Sequence, residues 1–195
     1  MEKPPLVLEL FAGSRSIGKE AEKLGMRVFS TDINDFEGID LVADILTLKA
    51  SDFPKPDIIW ASPPCTAFSV AAIGHHWTGG NGAYIPATES AHIGLSLVVK
   101  TLALIKELQP KHWFIENPRG MLRKMPIMQG LPRCTVWYCQ YGDRRAKPTD
   151  IWSNNLNSLF NPGGFVPRTC YNNNPKCHHD KCPRGTNNGL GTQGM

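Results

Sequence analysis

The sequence predicts an α/β fold built on a doubly wound, mostly parallel sheet. Three observations carry this. Short apolar runs recur between residues 6 and 115, segments with helical spacing separate several of them, and residues able to do chemistry follow the C-terminal end of each run. Strands and helices that alternate at this spacing form parallel sheets with crossover connections. Open sheets of that kind bind ligands beyond the carboxyl ends of their strands.

The run over 6–11 reads as a buried strand that enters a turn at Ala12-Gly13-Ser14. A helix over 16–24 follows, with Ile17, Ala21 and Leu24 on one face and Gly25 as its stop. Strands over 26–31, 39–43 and 57–61 come next, ending at Asp32, at Asp44 and at Ser62-Pro63-Pro64-Cys65. Residues 66–87 hold Gly74, Gly79, Gly80, Gly82 and Pro86 and show no period; so long a stretch without regular structure inside a domain is usually functional. A long helix over 88–108 is capped by Thr88, presents Ile93, Leu97, Leu104 and Leu108, and is ended by Pro110. A fifth strand over 111–115 ends at Glu116-Asn117-Pro118. Strands over 134–139 and 149–152 follow, joined by a charged turn over 141–148. Beyond Ser153, Asn, Gly and Pro dominate and no period survives. The expected division is a domain over 1–152 and an irregular Cys/His-containing segment over 153–195.

Composition narrows the class. Of the 195 residues 41% are hydrophobic and 19% charged, a globular balance rather than a disordered one. There is no run of 18 apolar residues to suggest a membrane helix, and the first five residues are too polar and too few for a signal peptide. The expected location is therefore the cytoplasm. The six cysteines then read as free, catalytic or metal-bound thiols. Charge is uneven. Residues 1–116 hold 10 Lys+Arg against 14 Asp+Glu, a net −4, whereas residues 117–195 hold 11 against 3, a net +8. A basic part beside an acidic one suits a face for a polyanion, although ordinary solvated charge would read the same way.

Several residues at the carboxyl edge have two readings each. Phe11 and Gly13 sit in a turn tight enough for backbone to approach a ligand. Asp32 can accept from ribose hydroxyls, as an acid does in dinucleotide folds, or can cap a helix. Asp44 can accept from an adenine amino group or cap the turn at Thr47. Two prolines before Cys65 fix the chain and present the thiol in one orientation, as a nucleophile needs; a small buried cysteine is the plainer alternative. Glu116 closes an apolar strand, so partial burial would raise its pKa and leave it a proton to give, unless a Lys or Arg pairs with it.

Taken in order, four stretches resemble the motifs of the DNA cytosine-C5 methyltransferases, in particular the short, phage-type members. They are Glu9-Leu10-Phe11-Ala12-Gly13, Pro63-Pro64-Cys65-Thr66-Ala67-Phe68-Ser69, Glu116-Asn117-Pro118, and Gln140-Tyr141-Gly142-Asp143-Arg144-Arg145-Ala146-Lys147. The likeness covers roughly residues 5–152. It implies a Rossmann-like fold that binds S-adenosylmethionine (SAM) and transfers its methyl group to C5 of cytosine in double-stranded DNA. The matching positions would place Phe11, Gly13, Asp32, Asp44 and Pro63 around SAM, with Pro64 positioning Cys65. Cys65 would be the nucleophile on cytosine C6, Glu116 the contact to the cytosine N3 and amino edge, and Lys147 a basic group near the base or a phosphate. The target base would be flipped out of the duplex, and the 66–87 segment would close over the DNA.

The pattern departs from the family in places. Arg15-Ser16 stand where glycine is usual, Thr66 stands in place of the usual Gln, and Thr149 in place of a second basic residue. A target-recognition region and a returning C-terminal segment are not found. The expectation is therefore a truncated form, a second subunit that supplies recognition, or an inactive chain, and the role in restriction-modification or phage self-protection stays open. Two other functions also stay open. Ser62-Pro63-Pro64 is shared with the exocyclic amino methyltransferases of N4-cytosine or N6-adenine, although these carry an aromatic residue where Cys65 stands. A degenerate domain that binds DNA or SAM without catalysis is the third reading.

The tail carries Cys170, Cys177, His178, His179 and Cys182. Thiolates and imidazoles at such spacing can make a tetrahedral zinc site, with Cys170, Cys177, Cys182 and one histidine, taken as His178, as ligands; free thiols in a loose tail are the alternative.

Overall fold

Strand β1 (Leu6–Leu10) is buried at every position, as expected of a central parallel strand covered on both faces. The structure is a computed structural model and describes residues 3–70, 73–80, 82–156 and 167–180. Around β1 stand β2 (Arg27–Asp32), β3 (Leu41–Val42) and β4 (Ile58–Ala61). The chain then forms a two-stranded hairpin, β5 (Trp77–Thr78) and β6 (Ile85–Pro86), and adds β7 (His112–Pro118), β8 (Arg133–Trp137) and β9 (Pro148–Ser153) to the main sheet. The seven-stranded order is β3-β2-β1-β4-β7-β9-β8. The first five strands in that order run parallel, and β9 runs antiparallel to both β7 and β8.

The pleat decides what each face carries. Leu10, Ala61, Ile115 and Trp152 lie in one row across four strands, and all are buried. They join Val98, Leu104, Ile105 and Leu108 of helix α3 (Glu89–Leu108) in the main core. Side chains alternate along a strand, so Glu9 points to the other face. There it meets helix α1 (Ser16–Lys23), accepting from the Ile17 and Gly18 amides at 3.2 and 3.1 Å. The helices thus cover opposite faces, and the doubly wound expectation holds.

Glycine is required at two points of close approach. A Cβ at Gly18 would lie 2.6 Å from Glu9 Oε2. A Cβ at Gly120 would lie 2.1 Å from the Phe68 carbonyl oxygen, which is backbone and has little room to yield.

Some expectations need correction. Leu24 and Ile93, expected on buried helix faces, are 74% and 47% exposed. Gly18 and Ala21 bury the face of α1 instead, and Ala91, Gly94 and Val98 bury the first half of α3. Small residues let both helices sit close to the sheet, which leaves the larger side chains outside. The 66–87 segment is not structureless, because it holds a one-turn helix α2 (Ile73–His76) and the β5–β6 hairpin. Trp77 anchors that hairpin: it is buried, its Nε1 donates to the Ala67 carbonyl at 2.7 Å, and it stacks on Phe68. Strand β7 runs past Ile115 to Pro118 because β9 pairs with it over those residues. The strand expected over 134–139 ends at Trp137, and residues 138–141 form a 3-10 turn. Of the expected tail segment, 157–166 and 181–195 lie outside the described residues, Cys182 among them. No helix among the described residues is long and apolar enough to cross a membrane.

The outer strands are tied together by charge. Asp150 of β9 is fully buried and accepts from Arg123, Arg133 and the Thr135 hydroxyl. Asp150→Ala would strand two guanidinium groups and is expected to cost about 3–5 kcal/mol. Arg133→Ala leaves the Arg123 pair intact and should cost under about 1 kcal/mol. Urea unfolding measures both, and equal losses would show that Asp150 is not the hub.

Candidate active site

Every parallel strand delivers polar residues to the same edge of the sheet. After β1 the chain turns through Phe11, Gly13 and Arg15, all with positive φ (58°, 51° and 57°). That conformation is uncommon for Phe and Arg and needs outside support. Part of it comes from Asp32, whose Oδ2 accepts the Gly13 amide at 2.9 Å. Arg15, standing where glycine is usual in related motifs, donates to the Ser30 hydroxyl and pairs with Glu22. Its side chain thereby bridges β2 and α1.

Beyond these ends lies a cavity of about 280 Å3, lined by Phe11, Asp32, Phe36, Asp44, Ser62 and Pro64 among others. It combines apolar walls with a few fixed polar groups, the usual make-up of a small-molecule site. Asp32 also accepts the Asn34 amide through Oδ1, and Asp44 accepts the Leu46 amide. Both carboxylates are therefore oriented by local turns while lining the cavity, so the capping and ligand-facing readings are compatible. Gly13 is not among the lining residues and acts through its bond to Asp32. Pro63 is likewise absent from the lining: it is buried, and its carbonyl accepts from Asn117 Nδ2 at 2.9 Å, while Pro64 forms the wall.

Cys65 follows directly. Its carbonyl accepts the amides of Phe68 and Ser69 at 2.9 and 3.0 Å, so the thiol stands at the head of a tight turn. Asn117 fastens the β4 exit to β7 through Pro63, and the Met121 amide donates to the Phe68 carbonyl at 2.7 Å beside Gly120. These bonds place Glu116 in the same electrostatic field as Cys65: each is perturbed by Lys147, and the Glu116 carboxylate acts on the thiol.

Burial pushes the Cys65 thiol above its ordinary pKa; the positive charge of Lys147 opposes this and that of the Glu116 carboxylate adds to it. Burial likewise raises Glu116, against Lys147 and against hydrogen bonds from Tyr138 and Ser62. The Tyr138 hydroxyl donates to Glu116 Oε1 at 3.3 Å, and Lys147 Nζ lies 5.0 Å from the Tyr138 ring centre. The site therefore brings together the sequence-predicted Cys65, Glu116 and Lys147, and puts Asp32, Asp44 and Phe11 in the adjoining cavity.

Two residues escaped the sequence reading. Glu9 lies in a quoted motif but had no role; it is buried and holds the start of α1 against β1, with Ser30 as a further donor. A lone carboxylate inside an otherwise apolar strand was the available signal. Tyr138 gave none beyond being an aromatic residue with a polar tip near a strand end.

In the tail, Cys170 and Cys177 come together as expected. The histidine beside them is His179 rather than His178, whose ring is exposed and bonds the Asp143 carbonyl through Nε2 at 3.1 Å. Consecutive side chains cannot both point inward here, and the Asp143 contact takes His178 outward.

The family model for the C-5 cytosine-specific DNA methylases matches residues 9–126. Among curated proteins, the chain is 32% identical over 169 residues to a probable DNA (cytosine-5)-methyltransferase of Frog virus 3 (isolate Goorha), an alignment covering 84% of this chain and 74% of the relative. Among solved structures, it resembles the S. pombe Dnmt2 methyltransferase with a TM-score of 0.54 and 16% identity, covering 77% of this chain and 49% of that one. That likeness supports the methyltransferase fold.

Thiol alkylation tests the electrostatics. The alkylation rate of Cys65, followed by peptide mass spectrometry, should rise with pH at values above those of a free cysteine. Lys147→Met should move that rise higher, and Glu116→Gln should move it lower. A Cys65 profile unmoved by both substitutions would show that the three groups do not share one site.

Proposed function

The chain belongs to the C-5 cytosine-specific DNA methylase family, and we propose that it transfers a methyl group from S-adenosylmethionine to C5 of cytosine in double-stranded DNA through a covalent bond to Cys65. The observation that carries this reading is the meeting of Cys65, Glu116 and Lys147 beside the cavity walled by Phe11, Asp32, Asp44 and Pro64.

The cavity suits SAM. Phe11 and Phe36 offer aromatic surface for an adenine, Asp44 an acceptor for its amino group, and Asp32 an acceptor for ribose hydroxyls. When bound there, SAM supplies a methyl group made electrophilic by a positively charged sulfur.

The residues divide the remaining work. Cytosine C5 is a poor nucleophile. The Cys65 thiolate adds to C6, forming an S–C6 bond and moving the C5–C6 π electrons toward C5. Glu116, whose burial favours the protonated form, donates to N3 and so spreads the charge gathering in the ring. C5 would then bond the methyl carbon as the methyl–sulfur bond breaks, its electron pair leaving on the sulfur. Loss of the C5 proton to a base in the solvent returns its electron pair to the ring, the S–C6 bond breaks, and the N3 proton returns to Glu116. One difficult substitution thus becomes several easier steps. Lys147 favours the thiolate and adds a positive charge where a phosphate or a polarised base would lie. Access to C6 requires the base to leave the duplex. The hairpin is docked through Trp77 on Ala67 and Phe68, close in sequence to Cys65, and would be the element to close over the DNA.

The amino-methylation alternative calls for an aromatic residue at position 65, and a cysteine stands there. Labelled methyl transfer from SAM to duplex DNA, followed by nucleoside analysis, tests the proposal. The product should be 5-methylcytosine. Cys65→Ser should lower the rate at least about a thousandfold, the scale on which loss of a nucleophile acts. Glu116→Gln should lower it about a hundredfold or more. Methylation of an exocyclic amino group, or a Cys65→Ser chain as active as the parent, would overturn it.

A further inference from the structure

Outside the catalytic set, four metal-binding side chains converge from two distant parts of the sequence. Cys139 lies in the 3-10 turn that follows β8 (Tyr138–Tyr141), while Cys170, Cys177 and His179 come from the tail. One ligand atom from each lies within 4.8 Å of the others. We propose that Cys139, Cys170, Cys177 and His179 bind one zinc ion that fastens the tail to the 3-10 turn beside the active site.

The geometry is near what zinc needs. Bonds of about 2.3 Å to sulfur and about 2.0 Å to nitrogen in a tetrahedron put ligand atoms about 3.5–3.8 Å apart. Cys170 Sγ and His179 Nδ1 are already 3.7 Å apart, so closing the site takes shifts of an ångström or less. Three thiolates and an imidazole form a full tetrahedral set with no open position, the pattern of a structural rather than a catalytic zinc.

Burial supports the assignment. Cys139, Cys170 and His179 are buried, so their ligand atoms face one another away from solvent. The surrounding apolar support is small, Trp137 and Ala146. So little packing does not explain why a segment rich in Asn and poor in large apolar residues folds back here. A metal supplies the missing free energy, because in such sites binding and folding are one process.

Amide groups also point at the sulfurs. Gln140 Nε2 donates to Cys177 Sγ at 3.4 Å, and Asn174 Nδ2 donates to Cys170 Sγ at 3.5 Å. Donors of this kind spread thiolate charge and orient the ligands of a metal site. The tail is further held by Arg144, whose carbonyl accepts the Asp180 amide at 2.8 Å and whose side chain pairs with Asp180 at 3.1 Å.

The position gives the site a consequence. Cys139 is next in sequence to Tyr138, the donor to Glu116, and the turn it anchors leads on to Lys147. A zinc here would brace the strand pair that presents both groups. It stands apart from the methyl-transfer reading, since metal content can be measured with neither DNA nor SAM present.

The test is elemental analysis of the full chain, purified under reducing conditions without chelator, together with X-ray absorption at the zinc edge. The expected result is about one zinc per chain, coordinated by three sulfurs and one nitrogen. In chelator competition, His179→Ala and Cys139→Ser should weaken zinc binding by more than about a hundredfold, beyond the range of changes outside the ligand set. His178→Ala and Cys182→Ser should keep it. Because a ligand variant can fail to fold, the spectrum of the parent protein decides independently. No zinc bound or taken up from added zinc, iron in its place, a disulfide among these cysteines under reducing conditions, or loss of zinc with His178→Ala but not His179→Ala would each overturn the proposal.

Discussion

The buried hydrogen bond from Asn117 Nδ2 to the Pro63 carbonyl couples the strand that carries Glu116 to the loop that carries Cys65. Adjacent parallel strands share a sheet but leave their exits free to diverge. Here the exits of β4 and β7 cannot diverge, because an amide inside the protein that loses its partner costs about 1–3 kcal/mol. The contact between Met121 and Phe68, with Gly120 against the Phe68 carbonyl, repeats the fastening a few residues on. Trp77 closes it from the other side through Ala67. A loop that would otherwise be mobile is thereby held between β7 and a hairpin, and the thiol is held with it.

That rigidity makes the electrostatics useful. Cys65 and Glu116 are both pushed toward their neutral forms by burial, Lys147 opposes the push on each, and the Glu116 carboxylate adds to that on Cys65. A protonated Glu116 removes the negative charge that disfavours the thiolate, and it is also the form that can donate to N3 of a pyrimidine. The same proton position suits both jobs. Tyr138 and Ser62 limit how far Glu116 is pushed, since both donate to its ionised form.

Much of this was legible in the sequence. Apolar runs ending in Asp32, Asp44, Cys65 and Glu116 marked one sheet edge, because a parallel sheet puts all its strand exits together. The Pro-Pro-Cys and Glu-Asn pairs also announced themselves by position. Periodicity misled where small residues decide packing: Leu24 and Ile93 matched the helical stripe, yet Gly18, Ala21, Ala91 and Gly94 made the close contacts. The hairpin in 66–87 was hidden because two-residue strands have no period to detect; its stability comes from Trp77 packing on Phe68, a tertiary contact. The grouping of Cys139 with the tail was unreadable for a similar reason. Local spacing cannot show a partner some thirty residues away, and it favoured Cys182, which lies outside the described residues.

The central claim is that the thiol at position 65 forms a bond with the cytosine ring while Glu116 supports the ring from its N3 edge. Duplex DNA containing 5-fluorocytosine tests it most directly, because fluorine at C5 cannot leave as a proton does and the ring stays attached. Incubation with SAM followed by peptide mass spectrometry should find the DNA on the Cys65 peptide, with no adduct from Cys65→Ser and slower capture by Glu116→Gln. Attachment at another cysteine, or 5-methylcytosine formed on ordinary DNA with no capture of the fluorinated base, would contradict the account.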